Sequence, residues 1–326
     1  MIQALLKKFS RKKKDSGLSA EAYVKAIKKA NMEPLANVTA VSSVTQLGAK
    51  YDCNMWLKRE DQQPVYSFKL RGAFNKLQTL PKQSQVVTAS AGNHAQGLAY
   101  SATHLGHSAR IVMPSTTPQI KIDAVKGFGG EVIIHGNNFD AANAYALDLA
   151  EKEGAVFVPP FDDQDVIIGQ GTVARELLEQ LPNVDVVFIP VGGGGLMAGM
   201  SVYLKTVNPK VKVIAVEAED SACFAAAMEA KEPVDLDYVG SFADGVAVKR
   251  IGKETFRVAS QHCDGVVTVS SDAICAAMQD IFVSMRAISE PSGALSLAGM
   301  KKWCDTNNAK GLNLAGVLSG ANLNFN

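Results

Sequence analysis

From Gln85 onwards the sequence alternates short apolar runs with helical stretches, and this alternation constrains the fold more than any other feature. Runs rich in Val, Ile and Ala occupy residues 86–90, 109–113, 131–134 and 155–158. Helical stretches lie between them, around Ala95, Ile120 and Ala144. Repeated β-α-β units of this kind form a parallel sheet, because each crossover helix returns the chain so that the next strand runs in the same direction.

A second alternating series follows in the C-terminal half of the chain. Its apolar runs occupy residues 184–191, 211–217, 266–270 and 314–319. Two such series leave a cleft between two sheets, and ligands of parallel sheets bind beyond the carboxyl ends of the strands. We therefore predict an α/β fold of two domains, each with a mostly parallel sheet flanked by helices.

The chain has 326 residues, more than a typical single domain. We predict a basic tail at residues 1–17, a large domain formed by residues 18–80 and 160–326, and a small domain formed by residues 81–159. A helix from Leu18 to Ala30, with Ser19 as its N-cap, and a strand at residues 54–58 should open the large domain. The basic run from Lys7 to Lys14 favours a solvated tail, with an organellar presequence as the alternative.

Composition favours a protein that acts on small molecules and has reduced cysteines, as in the cytoplasm. The formal net charge is +1, which provides no field to attract nucleic acid or acidic lipid. The five cysteines are scattered and include no C-x-x-C pair, so neither a disulfide framework nor a zinc site is indicated. We also see no apolar stretch of membrane-spanning length.

A glycine run follows the predicted strand at residues 184–191. It comprises Gly192, Gly193, Gly194 and Gly195, and Leu196 opens a helical stretch directly after it. Backbone N–H groups can crowd an anion there, and the helix N-terminus adds a partial positive charge, so we expect a bound phosphate. A nicotinamide dehydrogenase is the alternative, since Gly193, Gly195 and Ala198 fit G-x-G-x-x-A and Glu217 ends the next strand.

Two further motifs bear on which phosphate-containing ligand the glycine run binds. The hexapeptide Ser67-Phe68-Lys69-Leu70-Arg71-Gly72 places a lysine beside an aromatic residue. The segment Ser90-Ala91-Gly92-Asn93-His94 follows directly on a predicted strand. Small residues and turn formers at that position suit the capture of a substrate carboxylate by backbone N–H groups at a helix N-terminus.

With these motifs the sequence resembles the fold type II pyridoxal-phosphate family, and within it the threonine dehydratases, more closely the biosynthetic than the catabolic kind. The resemblance runs from about Leu57 to Asn326. Its five motifs stand in register as S-F-K-L-R-G, S-A-G-N-H-A-Q-G, V-G-G-G-G-L, A-D-G-V-A-V and L-S-G-A-N.

The resemblance implies a role for each motif. Lys69 would hold pyridoxal 5'-phosphate covalently, the loop from Gly192 to Leu196 would bind its phosphate, and Asn93 would bind its 3-hydroxyl. Ser319 would face the pyridine nitrogen, and a neutral hydroxyl there keeps the ring a weaker electron sink, which suits β-elimination. The remaining implied assignments are the substrate carboxylate at Ser90, Ala91, Gly92, Asn93 and His94, and Gly245 and Glu290 lining the cofactor.

The resemblance also implies a reaction. L-Threonine would lose water to give 2-oxobutanoate and ammonia, the first committed step toward isoleucine, with L-serine as a secondary substrate. Lys69 would take the Cα proton, and the β-hydroxyl would leave with a proton from the side of the cofactor phosphate. We expect a homo-oligomer, either a dimer or a tetramer, without nucleic-acid or membrane partners.

Some residues depart from related enzymes or are assigned no chemistry. Serine racemases carry Ser at the position of Ala91, as a proton donor on the second face of the carbanion, so elimination should dominate over racemisation here. Glu217 matches a cation ligand of those racemases, but Cys223 replaces their later aspartate, and we predict no metal. We assign no metal to His104 and His107.

Three alternatives to the dehydratase stay open at this point: a racemase or serine dehydratase of the same cofactor class, a nicotinamide oxidoreductase, and a non-catalytic binding protein. His94 is expected to start a helix without transferring protons. Biosynthetic threonine dehydratases carry a regulatory domain after the catalytic one, whereas this sequence stops at Asn326. We expect no isoleucine inhibition of this chain, unless it is a piece of a longer protein.

Overall fold

The computed structural model describes residues 17–323, so the predicted basic tail lies outside the described part except for Gly17. One sheet has six strands in the order β1-β2-β10-β7-β8-β9. Its strands are Val41–Ser43 (β1), Asn54–Arg59 (β2), Val186–Pro190 (β7), Lys212–Ala218 (β8), Gly265–Val269 (β9) and Asn313–Leu318 (β10). Only the β1–β2 pair is antiparallel, and the other neighbours in this sheet are parallel.

A second sheet has four parallel strands in the order β5-β4-β3-β6. Its strands are Gln85–Ala89 (β3), Ser108–Met113 (β4), Glu131–Ile134 (β5) and Val156–Phe157 (β6). The predicted fold class, two mostly parallel sheets flanked by helices, is confirmed. All four strands lie within the predicted small domain, 81–159, although the domain division itself stays a prediction.

Helices separate the strands along most of the chain. They are Ala20–Lys29 (α1), Thr45–Tyr51 (α2), Lys69–Gln78 (α3), Asn93–Leu105 (α4), Gln119–Gly127 (α5), Phe139–Glu153 (α6), Gln164–Gln180 (α7), Gly195–Val207 (α8), Cys223–Ala230 (α9), Lys253–His262 (α10), Ser271–Met285 (α11) and Pro291–Asn307 (α12). The Ser19 side chain accepts a hydrogen bond from the Ala22 N–H at 3.2 Å, as expected of an N-cap.

Alternate residues of each strand face opposite layers of helices. In β7, Val187 and Ile189 belong to one hydrophobic cluster, whereas Val186 and Phe188 belong to the cluster on the other face. Burial on both faces explains why these strands are continuously apolar in the sequence. The two sheets are therefore covered on both sides, and chemically active side chains gather at the ends of the strands.

The strand β1 was not predicted. It has three residues at the edge of the sheet, of which Val41 and Ser42 are half-buried and Ser43 is exposed. A short polar run of this kind gives no apolar signal, and β2 supplies the pairing that makes it a strand.

Candidate active site

A cleft lies where the ends of β7 and β10 meet the starts of α3, α4 and α8. Its empty space is about 480 Å³, part of which is open to solvent. The predicted residues that line it are Lys69, Asn93, Gly192, Gly193, Gly194, Gly195, Leu196, Gly245, Glu290 and Ser319. The structure thus brings together residues that are separated by as many as 250 positions in sequence, 319 against 69.

Lys69 is the first residue of α3, and backbone hydrogen bonds hold its segment beside the end of β10. The Phe68 N–H donates to the Ser319 carbonyl at 3.2 Å, and Ser67 forms an antiparallel bridge with Gly320. The Lys69 amine donates to the Pro160 carbonyl oxygen at 3.0 Å. The side chains of Lys69 and Ser319 therefore enter the cleft from two neighbouring segments that are paired through their backbones.

Burial makes the Lys69 amine unusually easy to deprotonate. It lowers the pKa of Lys69 to about 8, and the negative charge of Glu290 opposes this only in part. A sizeable fraction of the amine is therefore uncharged near neutral pH, which is the form that attacks a carbonyl carbon.

The glycine loop connects β7 to α8 in a conformation that needs glycine. Gly194 has φ of +89°, in the left-handed region. A Cβ at Gly193 would collide with the Phe161 ring, and one at Gly192 would lie 2.8 Å from the Val246 Cα. Within residues 17–323, no acceptor pairs with the N–H groups of Gly193, Gly194 and Gly195.

These unpaired N–H groups stand at the N-terminus of α8 and line the cleft. Three backbone donors and a helix N-terminus suit a phosphate group better than any other common ligand. The cleft therefore fits a phosphate at the glycine loop and an aldehyde near Lys69, and pyridoxal phosphate carries both groups.

The loop from Ser90 to His94 joins β3 to α4, and only Asn93 of this loop lines the cleft. Ser90, Ala91 and Gly92 are half-buried beside it, and the Gly92 N–H donates to the Ser90 hydroxyl at 3.3 Å. The loop lies next to the proposed cofactor position, as a substrate carboxylate site would, and its role stays a prediction.

His94 is buried beneath this loop and is held in its neutral form. Its Nε2 atom lies 3.0 Å from the Val158 carbonyl, which can only accept, so Nε2 carries the hydrogen. Burial, together with the charge of Lys69, lowers the pKa of His94 to about 3. A ring with this pKa is a poor base at neutral pH, in line with the sequence-based expectation.

Glu290 connects the two sides of the cleft. Its carboxylate accepts hydrogen bonds from the Asn93 amide at 2.7 Å, the Ser292 hydroxyl at 2.8 Å and the Asn322 N–H at 2.9 Å. The Asn322 amide also donates to the Asn93 Oδ1 atom at 2.6 Å. Burial raises the pKa of Glu290 even though these donors favour the charged form. Asn93 is thereby fixed in orientation.

Ser319 and Gly245 complete this wall of the cleft. The Ser319 hydroxyl donates to the Ser292 carbonyl at 3.3 Å and is buried at the end of β10. A Cβ at Gly245 would collide with the Ser292 side chain, so glycine is required for the close approach of these segments. Ser319 thus lies in the cleft, and its role as the partner of a ring nitrogen stays a prediction.

The cleft residues that were not predicted from the sequence include Pro160, Phe161 and Gln170. Pro160 provides the acceptor of Lys69, and Phe161 packs on Gly193. Neither residue type carries a chemical signal in a sequence, and Gln170 lies inside an amphipathic helix, where a glutamine is usually solvated. No pattern in the sequence would have singled them out.

The nicotinamide alternative required Glu217 to be a free ribose-binding acid. Instead, its carboxylate accepts from the N–H groups of Phe224 and Ala225, at 2.7 and 2.8 Å, at the start of α9. Burial raises the pKa of Glu217 to about 7. In the part of the chain that the structure describes, no three His, Cys, Asp or Glu residues are grouped to hold a metal ion.

Comparison with known proteins decides between the cofactors. A family model described as pyridoxal-phosphate dependent enzyme matches residues 32–320. The chain belongs to this family. The five motifs predict this class of enzyme, and the family model confirms it. Pyridoxal phosphate is the cofactor. The nicotinamide interpretation of the glycine loop is wrong.

Several relatives are similar along nearly the whole chain. The biosynthetic L-threonine dehydratase IlvA of Salmonella typhimurium is 56% identical over 306 residues, which cover 93% of this chain and 60% of that protein. The solved structure of the processed form of threonine deaminase isoform 2 from Solanum lycopersicum has a TM-score of 0.92 at 43% identity, over 95% of this chain and 92% of that one. Serine racemase from Dictyostelium discoideum gives 0.86 at 32% identity, over 93% and 99% of the two chains.

The chain spans about 60% of the length of the bacterial relatives that it matches. Across residues 17–323, none of the helices has both the length and the apolar character that crossing a bilayer requires.

Proposed function

We propose that this chain is a threonine dehydratase, which converts L-threonine to 2-oxobutanoate and ammonia by β-elimination of water. The observation that carries the proposal is a buried lysine amine of lowered pKa in the same cleft as an unpaired set of glycine N–H groups. The similarity to named threonine dehydratases supports the choice of substrate. We propose L-serine as a secondary substrate.

Each cleft residue has a defined task in this proposal. Bound pyridoxal phosphate supplies an aldehyde that holds the substrate amine and a ring that draws electrons from Cα. The N–H groups of Gly193, Gly194 and Gly195 hold the phosphate, and Asn93 holds the ring hydroxyl in the orientation that Glu290 imposes. Ser319 leaves the ring nitrogen without a full charge partner, so electron withdrawal is moderate.

Lys69 moves the proton. After the substrate amine displaces it, the lysine takes the proton from Cα and holds it at Nζ. The electron pair of the Cα–H bond becomes the second bond between Cα and Cβ, and the β-hydroxyl leaves with the electrons of the Cβ–O bond. The departing hydroxyl would take up a proton from the side of the phosphate held by the glycine loop and leave as water. Hydrolysis of the released enamine then gives the 2-oxo acid and ammonia.

The loop from Ser90 to His94 would hold the substrate carboxylate, since it lies beside Asn93 and starts a helix. Serine racemases have a similar fold, but a racemase needs an acid on the second face of the carbanion. Ala91 offers no proton there, which favours elimination. We therefore place racemisation second.

We further propose that the protein works in the cytoplasm, as a homo-oligomer on the route toward isoleucine. The near-zero net charge and scattered cysteines are in keeping with that location. Exposed apolar side chains at the end of α11, Phe282 and Val283, together with the nearby Ile288, suit contact with a second copy.

The first experiment follows 2-oxobutanoate formed from L-threonine by the wild-type protein and by Lys69→Ala. We expect a loss of at least about 10²–10⁴-fold, because the variant lacks both the covalent attachment and the base. Borohydride reduction and peptide mapping should find the pyridoxyl group on Lys69 in the wild type.

A label on another lysine would refute the assignment of Lys69. The same incubations with L-serine, stopped at partial turnover, give the chirality of the remaining serine. Substantial D-serine would mean that another group supplies the second-face proton, and the racemase would then be the better description.

A further inference from the structure

Gln170 is a buried amide in the wall of the cleft. It lies on α7, is 1% exposed and lines the cavity together with Lys69. Its Oε1 atom has no hydrogen-bond partner among the residues that the structure describes. A buried carbonyl oxygen without a donor costs free energy, so such a group in a functional cleft calls for an explanation.

The Gln170 amide lies against the helix that carries Lys69. A Cβ at Gly72 would collide with the Gln170 amide, so the missing side chain leaves room for it. Gly72 follows Lys69 by three positions in α3, and residues three apart share one face of a helix. The glutamine therefore sits on the face of α3 from which Lys69 enters the cleft.

Lys69 has hydrogens to donate. An ammonium group has three donors, and the described residues provide the Lys69 amine with a single acceptor, the Pro160 carbonyl oxygen. The cleft thus contains a buried donor with too few acceptors and a buried acceptor with no donor. Both groups belong to residues that line the same cleft.

We propose that Gln170 is a positioning residue, whose side-chain carbonyl accepts a hydrogen bond from the Lys69 amine once an amino acid has displaced that amine from the cofactor. The bond holds the lysine close to Cα and stabilises the proton that it has taken. This inference rests on the proposed role of Lys69, and it adds a residue that none of the five motifs of the resemblance contains.

The test uses the cofactor-loaded enzyme and L-alanine, which displaces the lysine but has no β-leaving group. Visible absorption of the cofactor reports the displacement, so the apparent affinity is measured without turnover. Gln170→Met keeps the length of the side chain and removes the acceptor. We expect it to weaken L-alanine binding by about 10-fold or more at pH 7, the usual effect of losing a hydrogen bond to a charged group.

The pH dependence separates this role from a direct contact with the amino acid. Below its pKa, which burial lowers to about 8, the released Lys69 is an ammonium and needs the acceptor most. The loss of affinity in Gln170→Met should therefore be largest at low pH and shrink as the pH rises through about 8. A glutamine that touched only the amino acid would give the same loss at every pH.

Two further variants complete the design. Gln170→Glu keeps an acceptor at the same place and should bind L-alanine at least as well as the wild type below pH 8. Ser101→Ala is the matched control, since the buried Ser101 hydroxyl has no partner within residues 17–323 and does not line the cleft. It should leave the affinity and its pH profile unchanged.

The proposal is overturned if Gln170→Met binds L-alanine like the wild type, if its loss does not vary with pH, or if Gln170→Glu loses as much as the methionine variant. A failure of the proposed function looks different. In that case wild-type enzyme would show no absorption change with L-alanine, or borohydride would label another lysine.

Discussion

Gly193 is the residue whose missing side chain most directly shapes the cleft. Its Cα faces the Phe161 ring, and the residue before that ring, Pro160, accepts the hydrogen bond of Lys69. A methyl group at Gly193 would have to push the ring away, and the movement would reach both the glycine loop and the acceptor of the lysine. Even a side chain as small as a methyl group at Gly193 would therefore disturb the cleft.

We expect Gly193→Ala to weaken binding of pyridoxal phosphate by about 10-fold or more, since overpacking a tight contact costs about 1–3 kcal/mol. Equilibrium dialysis against the cofactor measures it. Gly127→Ala is the control, because a Cβ at Gly127 meets no atom within 4 Å and its φ is not positive. Equal affinities of the two variants would show that the loop does not hold the phosphate.

The position of the glycine loop after a strand predicted its place in the site, and the resemblance of the motifs to a known family singled out Lys69, Asn93 and Ser319. All of them line the cleft. Gln170 could not be predicted, since nothing in a sequence tells a buried glutamine from a solvated one. Its significance depends on the contact with Gly72, which only the packing of α3 on α7 creates.

At the scale of elements, a buried cluster of charges fixes α3. Arg71 donates to Glu60 at 2.7 and 2.8 Å and to Glu176 at 2.6 and 2.9 Å. Lys58 donates to Glu176 at 2.6 Å. Burial disfavours the charge of Glu60, but Arg71, Lys58 and Thr39 together outweigh that effect and leave the pKa of Glu60 lowered. Two cations and two carboxylates thus tie β2, α3 and α7 together, two residues from Lys69.

Arg71→Met should destabilise the protein by about 3–5 kcal/mol, because it leaves a buried carboxylate without its partner. Urea unfolding measures the change. Arg110→Met serves as the control, since Arg110 pairs with Glu153 near the surface, where such a pair contributes about 0–1 kcal/mol. If the two variants lost the same stability, the cluster would not anchor α3.

The strands could be predicted from the sequence, but this cluster of charges could not. The apolar runs predicted the parallel strands to within about two residues at each end, because burial on both faces leaves a local pattern. A salt bridge between Arg71 and Glu176 joins residues 105 positions apart and leaves no local pattern at all. Such pairs depend on how the helices pack on the sheets, and no short segment of the sequence predicts that packing.

At the scale of the molecule, the cleft is shared by both sheets. Asn93 follows β3 of the four-stranded sheet, whereas Ser319 and the glycine loop follow strands of the six-stranded sheet. Lys121 of α5 also pairs with Asp244, beside the cleft residue Gly245. A cofactor bound there contacts both parts and should stabilise them as a unit.

We expect removal of the cofactor, by hydroxylamine treatment and dialysis, to lower the Tm by about 4 °C, the effect of losing a ligand that is present at roughly 100 times its Kd. Calorimetry of the loaded and stripped protein gives the shift, and reloading with pyridoxal phosphate should restore it. An unchanged Tm would mean that the cofactor contributes nothing to holding the two sheets together.

As an anion receptor, the glycine loop responds to pH differently from a receptor made of charged side chains. Its donors are peptide N–H groups, and a peptide N–H does not titrate in water at any pH that the protein survives. A receptor made of lysine or histidine side chains would gain and lose charge with pH. This one presents a constant positive potential, so its own donors add no pH dependence to the binding of a phosphate.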